Sequence, residues 1–228
     1  FRHEKFKEYK AQRPKTPDGI VSQIPIAKEV LKSLKIPVFA KEGFEADDLI
    51  ATIATKSEKD ADVFILSGDL DNLQLVNEKI KVYTLGKGIK DTVVYDAERV
   101  VSRFGVTPAQ MIDFKALSGD PADNIPGVPG IGKKTAAELI QKFGSVENLY
   151  SEISQGMANI KPRIKDLLIT YKKIALLSLE LVEMKKDVDI EFLLENCQFG
   201  KFDLKEVEEK LKTLDFNTLI NRLPLLLN

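Results

Sequence analysis

The chain has 228 residues, of which 43% are apolar and 30% are charged, and its formal net charge is −1. This size and composition fit one large or two small globular domains, and no apolar run reaches the roughly 20 residues that a membrane-spanning helix needs. A net charge near zero does not by itself indicate a nucleic-acid-binding protein, so such a function would have to depend on local patches. Because Cys197 is the only cysteine, no disulfide can form within the chain, which fits a reducing compartment such as the cytoplasm.

The first seventeen residues, FRHEKFKEYKAQRPKTP, form a basic segment with few aliphatic side chains. Such a segment could contact a DNA backbone, with Phe6 or Tyr9 stacking on an unpaired base. Composition alone favours a solvated arm instead, and Pro14 and Pro17 end any helix there. His3 is the only histidine, so a catalytic arrangement of the Ser-His-Asp or Cys-His type is not indicated.

Helical periodicity begins after the basic segment. From Asp18 to Leu34 apolar residues recur at helical spacing, and Pro25 within this stretch predicts a kink or a late helix start. A short strand, IPVFA, is expected at 36–40. A further helix is expected from about Glu45.

Three more strands are predicted in the following part of the chain, at 63–67, 81–85 and 92–96. The first is a short apolar run bounded by Ser-Gly, which is typical of a buried strand. The other two flank Gly86 and Gly88, which indicate a turn. Strands that alternate with helices predict an α/β fold, with a parallel or mixed sheet flanked by helices.

After Asp96 the pattern is almost entirely helical. Asp96 is expected to cap a helix that runs through Phe104, and Thr107-Pro108 is a good pair for the start of the next one. A segment rich in glycine and proline at 119–132 separates this helix from those that follow. The chain is therefore expected to divide into an α/β part, 1–96, and a helical part, 97–228.

Carboxylates occur in three groups, which we call the EADD group, the post-strand pair and the third pair: Glu45, Asp47 and Asp48; Asp69 and Asp71; Asp120 and Asp123. Metal ions that act on phosphodiesters are hard cations with oxygen ligands, and Mg²⁺ takes a few carboxylates together with water and substrate phosphate. Two ions about 4 Å apart can stabilise both the attacking and the leaving oxygen. Such a site requires acids that converge, commonly at the C-terminal edge of a sheet.

Each of these groups also has an ordinary explanation. In the EADD group, Glu45 and Asp48 share a helix face and Asp47 points elsewhere, but acids in a first helical turn also complement the helix dipole. Turn and cap chemistry would equally explain the post-strand pair and the third pair. Clustered acids destabilise a fold unless cations offset their repulsion, so convergence of all three groups would indicate function. The sequence does not establish that convergence.

The segment GVPGIGKKTAAELI at 127–140 predicts a glycine loop that leads into a helix. Gly130 and Gly132 allow a tight turn and a close approach of the backbone to a ligand. A helix that begins near Lys133 points free N–H groups outward and can bind phosphate without reading base sequence. The segment has no Walker A ending and does not follow a strand, so a nucleotide-binding fold is not indicated. The alternative is an ordinary turn between helices.

Four segments together carry a family resemblance: FRHEKFKEYKAQRPKTP, GFEADDLIATIA, SGDLDNLQLV and LSGDPADNIPGVPGIGKKTA. In this order they closely resemble the 5′-nuclease domain of bacterial DNA polymerases I, a family related to the phage and eukaryotic flap endonucleases. The resemblance covers essentially the whole chain. It implies a PIN-like 5′-nuclease fold, in which a mixed sheet flanked by helices is followed by a helical region with a helix-3-turn-helix element.

The resemblance also implies what the chain does and with what. Enzymes of this family hydrolyse phosphodiesters near the junction of a 5′ single strand and a duplex, so the expected partners are flapped, nicked or branched DNA in replication and repair. A polymerase domain on the same polypeptide, a monomeric state and no membrane association are expected. Mg²⁺ or Mn²⁺, as two ions, is the implied cofactor, and the family's glycine loop often holds a monovalent cation such as K⁺.

Residue roles follow from the same resemblance. It assigns metal binding to the seven carboxylates: Glu45, Asp47, Asp48, Asp69, Asp71, Asp120 and Asp123. It assigns the scissile phosphate and the 5′ strand to an arch segment, with Lys10 and Arg13 as the catalytic cations: Arg2, Tyr9, Lys10 and Arg13. It assigns the grip on duplex backbone to the glycine loop: Gly127, Gly130, Gly132, Lys133, Lys134 and Thr135.

The chain departs from the family pattern at its start. That pattern continues upstream of Phe1 with a strand bearing a metal-binding Asp, and with a second Asp just before the arch segment. The chain is therefore expected to be a fragment.

Two other functions remain to be distinguished from the nuclease. One is a non-catalytic, structure-selective DNA-binding module, in which the acids would be caps and turns. Metal-dependent cleavage of DNA, if observed, would exclude this module. A single-strand ribonuclease would be recognised by comparing DNA and RNA flaps.

Overall fold

The structure is a computed structural model that describes residues 1–85 and 92–226. Gly86 and Gly88, where a turn is expected, lie outside the described residues. The chain forms two compact units. Unit 1 consists of Phe1–Arg13 and Gly43–Val188, and unit 2 consists of Pro14–Glu42 and Asp189–Asn228. A division at residue 96 stays a prediction.

Three strands form one mixed sheet in unit 1: β1 Val63–Leu66, β2 Ile80–Leu85 and β3 Thr92–Tyr95. β1 pairs with β2 in parallel and β2 pairs with β3 antiparallel. These strands match the predicted runs at 63–67, 81–85 and 92–96. The prediction of a strand at 36–40 was wrong, since these residues have no regular structure. Pro37 within it has no N–H for a strand ladder.

The described residues contain α-helices of 4 to 12 residues. They are α1 Arg2–Lys5, α2 Asp18–Val21, α3 Gln23–Ser33, α4 Ala46–Ser57, α5 Ala97–Phe104, α6 Met111–Ser118, α7 Lys133–Phe143, α8 Val146–Ser154, α9 Pro162–Thr170, α10 Lys172–Val182, α11 Leu204–Lys212 and α12 Asn217–Ile220. Short 3₁₀ helices cover Leu70–Leu75, Pro108–Gln110, Leu194–Cys197 and Leu223–Leu226. No described helix has both the length and the apolar character that crossing a membrane would need.

Local signals in the sequence explain several of these boundaries. Asp96 caps α5 by accepting a hydrogen bond from the Arg99 backbone N–H at 2.9 Å, as predicted. The helix expected from Asp18 is interrupted at Ser22, and α3 starts just before Pro25. A proline in a first helical turn is tolerated because its missing N–H would have no partner within the helix. The late start that Pro25 predicted is confirmed.

The main core of unit 1 lies between the sheet, α4 and the helices from α5 to α10. Fully buried side chains from the sheet and from the helices meet there, including Val82, Leu117, Ile140 and Leu149. Each such side chain contributes about 1.5–3 kcal/mol relative to an exposed one. α6 is central, because it packs against α7 and α10. The loops after β1 and α6, which carry the post-strand pair and the third pair, follow elements that pack in this core.

Unit 2 has a smaller core of its own. α3 packs against α11, and the buried residues Val207, Leu211 and Leu223 are surrounded by partly buried side chains such as Val30 and Phe202. All seven carboxylates and the glycine loop belong to unit 1. The candidate functional residues therefore lie in unit 1 alone.

Candidate metal centre

The EADD group begins α4, and its three members have different surroundings. Glu45 is the N-cap of α4 and forms a capping box with Asp48, whose Oδ2 accepts the Glu45 N–H at 3.1 Å. Asp48 is fully buried. It accepts two hydrogen bonds from Arg2, each of 2.8 Å, and one from the Lys185 backbone N–H at 2.9 Å. Burial alone would raise the pKa of Asp48, but hydrogen bonds from Arg2 and Lys185 hold it below the usual value.

Arg2 and Tyr9 were predicted to contact DNA, and this stays a prediction, since both side chains are buried in the structure. Arg2 is 5% exposed and Tyr9 is 2% exposed. The Tyr9 ring packs in a small apolar cluster with Ile125, Leu181 and Val182, and it would have to leave this cluster to stack on a base. Arg2 is equally withdrawn from solvent. Both side chains hold the protein together here, and a DNA phosphate would have to displace protein atoms to reach them.

Lys10 and Arg13 connect the EADD group to the third pair. Lys10 Nζ lies 2.8 Å from Glu45 Oε2 and 3.4 Å from Asp123 Oδ2, and Arg13 forms an ion pair with Asp123 Oδ1. The Tyr9 hydroxyl donates to Glu45 Oε2 at 3.0 Å and also lies 3.3 Å from Asp123 Oδ2. Burial, followed by the charges of Glu45 and Asp123, raises the pKa of Tyr9, so its hydroxyl stays protonated. The basic segment therefore packs onto two of the three acidic groups.

Lys115, which the sequence reading did not single out, connects the post-strand pair to the third pair. Its ammonium group pairs with Asp71 and donates to Asp120 Oδ2 at 2.8 Å. Burial by itself raises the pKa of Asp120, but the hydrogen bond and the charge of Lys115 lower it below the usual value. Lys115 sits in α6, five residues before Asp120. Its place in the same short segment as the third pair was the signal that could have identified it.

Asp47 and Asp69 have no direct cationic partner among the described ion pairs, unlike the other acids. Asp47 accepts a hydrogen bond of 3.0 Å from Asn72 Nδ2, and Asp69 caps the 3₁₀ helix through the Asp71 N–H. Burial raises the pKa of Asp69, and this effect prevails although the charge of Lys115 lowers that pKa. Burial also raises the pKa of Asp47, against the effect of Asn72. Negative charge is thus undercompensated at these two residues.

Asn72 provides a second sign that a partner belongs at this place. It is fully buried, and its Oδ1 atom has no hydrogen-bond partner among the described residues. Buried polar atoms are nearly always paired, so the orphaned acceptor oxygen near Asp47 and Asp69 fits a water or a cation as its missing partner. Sequence reading missed Asn72, although it directly follows Asp71 in SGDLDN.

The carboxylates fit hard divalent cations in their chemistry, since all are oxygen donors. In the part of the chain that the structure describes, however, no three His, Cys, Asp or Glu side chains are arranged to hold one metal ion. Protein cations lie between the acids instead. Asp48 in particular faces Arg2 and backbone amides, so its assignment as a ligand stays a prediction that this geometry does not favour.

The loop of the third pair is held by a close crossing of two glycines. A Cβ at Gly127 would lie 2.2 Å from the Gly119 backbone nitrogen, and both glycines have positive φ angles, of 60° and 73°. Between them Asp120 and Ile125 exchange two backbone hydrogen bonds of 2.9 Å. Only glycine allows this crossing. Gly127, predicted as part of the DNA-gripping loop, thus has a structural role at its base.

The glycine loop leads into α7 as predicted. Gly130 has a φ of 87°, Gly132 is the N-cap of α7, and Ile131 is buried and anchors the loop. Lys133 and Lys134 are exposed and Thr135 is half-buried at the N-terminal end of α7. Such a helix end carries free N–H groups and a partial positive charge.

One cavity joins the glycine loop to the acids. It has a volume of about 290 Å³ and is lined by Asp69, Asp71, Lys115, Asp120 and Lys133, among others. Lys133 is close enough to help lower the pKa of Asp120, after the larger effects of burial and Lys115. The predicted phosphate-binding element therefore borders the same space as the post-strand pair and Asp120 of the third pair.

Comparison with known proteins places this fold and these motifs in one family. The N-terminal resolvase-like domain of 5′-3′ exonucleases matches residues 1–105, and the C-terminal SAM fold of 5′-3′ exonucleases matches residues 106–205. A 5′-3′ exonuclease of Aquifex aeolicus is 40% identical over 218 residues, which make up 94% of this chain and 71% of that protein. The chain belongs to the 5′-3′ exonuclease family.

The chain also resembles one part of larger enzymes. DNA polymerase I of Bacillus subtilis is 42% identical over 224 residues, and that of Bacillus caldotenax is 38% identical over 224 residues. The match covers 98% of this chain and 25% of each polymerase, so the chain spans about a quarter of their length. The predicted resemblance to the 5′-nuclease domain of bacterial DNA polymerases I is confirmed.

Solved structures support the fold class. The flap endonuclease of bacteriophage T5, in a pseudo-enzyme-product complex with DNA and metal ions, superposes with a TM-score of 0.66 at 27% identity. The match covers 81% of this chain and 70% of that one. The predicted mixed sheet with flanking helices, followed by a helical region, is confirmed.

Proposed function

We propose that this chain is the nuclease domain of a DNA polymerase I, a metal-dependent 5′-3′ exonuclease and flap endonuclease. Its substrates are 5′ flaps and nicked or branched duplex DNA. The observation that supports this most strongly is the meeting of all three acidic groups with Lys10, Arg13 and Lys115 in unit 1. These three cations offset the repulsion in part, but Asp47 and Asp69 have no direct cationic partner among the described ion pairs, which favours a bound cation beside them.

In this proposal six carboxylates hold Mg²⁺ or Mn²⁺, as two ions: Glu45, Asp47, Asp69, Asp71, Asp120 and Asp123. Asp48 was also predicted as a ligand, and we now assign it to the structural pair with Arg2. When bound, the ions supply a deprotonated water near neutral pH and positive charge beside the scissile phosphate. Lys10 and Arg13 border the acids and stabilise charge that develops on the phosphate in the transition state. The protonated Tyr9 hydroxyl fixes Glu45 by its hydrogen bond.

The glycine loop has the second role in this proposal, which is to hold the duplex. Backbone N–H groups at the start of α7, with Lys133 and Lys134, contact phosphates. We also propose K⁺ at the loop, which the family resemblance implies. Because Lys133 also lines the cavity of the acids, a backbone held by the loop leads directly towards Asp120. We further propose a monomer that works in the cytoplasm, with a polymerase domain on the same polypeptide.

Cleavage of a 5′-flap DNA by the full-length protein tests this function. The rate should require Mg²⁺ or Mn²⁺, and Asp69→Asn with Asp120→Asn should lower it by at least about a hundredfold, as loss of essential charge at a metal site does. The matched control is Asp60→Asn with Asp62→Asn, two exposed acids outside the cluster. Wild-type rates in the first double variant would refute the proposal. Binding of flap DNA without cleavage would favour the DNA-binding module, and faster cleavage of an RNA flap would favour the ribonuclease.

A further inference from the structure

Arg2 makes an unusually complete set of contacts for an arginine near the start of a chain. Its Nη1 and Nη2 atoms donate to the two carboxylate oxygens of Asp48, each at 2.8 Å. Nε donates to the Leu181 carbonyl at 2.9 Å, and Nη2 also donates to the Glu183 carbonyl at 2.8 Å. A planar guanidinium with five N–H donors is suited to such a site, and an ammonium group could not replace it.

Asp48 is bound on every side in the same way. Beyond Arg2 it accepts the backbone N–H groups of Lys185 and Glu45 at 2.9 and 3.1 Å. Thr52 adds to the same junction, because its hydroxyl donates to the Asp48 carbonyl at 2.8 Å. The ion pair thus joins three segments of unit 1: the first residues of the chain, the start of α4 and the residues that follow α10.

The segment that Arg2 anchors depends on contacts with the rest of unit 1. Between Phe6 and Arg13 it has turns and no regular helix. Beyond α1, Tyr9 is buried in its apolar cluster, the Asn124 side chain donates to the Glu8 carbonyl at 2.7 Å, and the Lys10 N–H donates to the Asp123 carbonyl at 3.0 Å. Lys10 has a left-handed φ of 54°, and a non-glycine residue in that conformation requires support from its surroundings. Arg2 supplies support near Phe1, and these contacts supply it around Lys10.

We propose that Arg2 is a positioning residue: through its buried pair with Asp48 it holds the segment Phe1–Arg13 so that Lys10 and Arg13 face the acidic groups. Its consequence for catalysis rests on the proposed function, but the anchoring itself is a property of the metal-free chain. The pair replaces two roles expected from the sequence. Arg2 positions the cations instead of contacting DNA, and Asp48 holds Arg2 instead of a metal ion.

Amide hydrogen exchange tests the anchoring without any reaction. In Arg2→Lys, the amides of Tyr9, Lys10 and Arg13 should exchange at least about tenfold faster than in the wild type, while the buried amides of β2 stay unchanged. The matched control is Arg99→Lys, the same change at an exposed arginine. Unchanged exchange at Lys10 in Arg2→Lys would overturn the proposal.

A double-mutant cycle tests whether the anchor acts through Lys10. With flap DNA and Mg²⁺, Arg2→Lys should lower the single-turnover rate at saturating DNA by about ten- to a hundredfold, as misplacement of a catalytic group does, and leave the dissociation constant of the DNA within about twofold. In a Lys10→Ala background Arg2→Lys should change the rate by less than about twofold. If the rate loss in the double variant equals the product of the losses in Arg2→Lys and Lys10→Ala, the positioning role is overturned.

If Arg2→Lys does not fold, a variant with two neutral side chains at these positions tests the same proposal. Arg2→Gln with Asp48→Asn removes both buried charges together, which a fold tolerates far better than the loss of one. This variant should fold and still show the faster exchange at Lys10, and wild-type exchange in it would overturn the proposal. If the wild type failed to cut DNA, the proposed function would fail. The exchange measurements would then still decide whether Arg2 anchors the segment.

Discussion

Lys115 donates a hydrogen bond of 2.8 Å to Asp120, and the same ammonium group pairs with Asp71. It thus joins acids from two loops that follow different elements, β1 and α6. All three side chains are less than one-fifth exposed. A single lysine therefore neutralises charge at a place where we propose that divalent ions bind. A metal ion and the Lys115 ammonium would have to share these oxygens or compete for them.

Removing Lys115 should therefore strengthen metal binding. In Lys115→Met, Mn²⁺ should bind about tenfold more tightly in calorimetric titration of the DNA-free protein, because the competing charge-assisted hydrogen bonds are removed. The control is Lys59→Met, at an exposed lysine. Equal or weaker Mn²⁺ affinity in Lys115→Met would mean that Lys115 helps to hold the site together.

The raised pKa of Asp69 predicts a stabilising substitution. Because the folded-state pKa lies above the unfolded value, the folded state binds the proton more tightly, and the stability this provides is lost as the pH rises through the folded pKa. At pH 7 without metal, Asp69→Asn should therefore raise the melting temperature by a few degrees. The gain should shrink towards pH 4, as Asp69 becomes protonated in the wild type. A drop in the melting temperature at pH 7 would contradict this reasoning.

Asp48 should behave in the opposite way. Its folded-state pKa is lowered, so its contribution to stability is present above the unfolded pKa and is lost as the pH falls through the folded pKa. Asp48→Asn leaves the buried Arg2 without its counter-charge and should lower the free energy of unfolding by about 3–5 kcal/mol at pH 7. Urea unfolding of the metal-free protein measures this. The comparison with Asp69→Asn separates an acid that supports the fold from one that strains it.

The sequence predicted three of its four strands and the Asp96 cap correctly because each has a local cause. Strands are indicated by apolar runs, and Asp96 needs only the amides of its own helix to act as a cap. The pairings within the site could not be read in this way. Arg2 and Asp48 are 46 residues apart, and Lys115 reaches Asp71 across 44. Such contacts depend on how loops converge in space, and the pattern of charges along a chain does not predict that convergence.

The same limit explains the roles that changed. A basic segment with aromatic residues predicts contact with nucleic acid when it is exposed, and the sequence carries no signal that Arg2 and Tyr9 would be buried. In the EADD group the sequence separates Asp47 from Glu45 and Asp48 by helix face, but it does not give the partner of each acid. In the fold Glu45 faces Lys10, Asp47 faces Asn72 and Asp48 faces Arg2. The direction in which each side chain leaves the first turn of α4 decides its partner.

Two glycines allow a test of the backbone that carries the third pair. Gly127→Ala places a Cβ 2.2 Å from the Gly119 nitrogen at a φ of 60°, so it should lower the free energy of unfolding by about 2 kcal/mol or more. Gly132→Ala meets no atom within 4 Å and should leave the stability within about 0.5 kcal/mol of the wild type. Urea unfolding of both variants checks the contrast. Equal stability of the two would show that the crossing of Gly119 and Gly127 can relax.

The glycine loop should contribute to DNA binding by neutralising phosphates alone. Lys133→Ala with Lys134→Ala should weaken binding to a duplex of any sequence and reduce the slope of log affinity against log salt by about 0.9 for each phosphate that is no longer neutralised. The control is Lys59→Ala with Lys79→Ala, two exposed lysines outside the loop, which should leave the slope unchanged.

Because Lys133 also lines the cavity of the acids, Lys134→Ala alone separates phosphate contact by the loop from an effect on that cavity. That single variant should change the salt slope without changing Mn²⁺ affinity in the absence of DNA. A full salt slope in the double variant would mean that the duplex binds elsewhere.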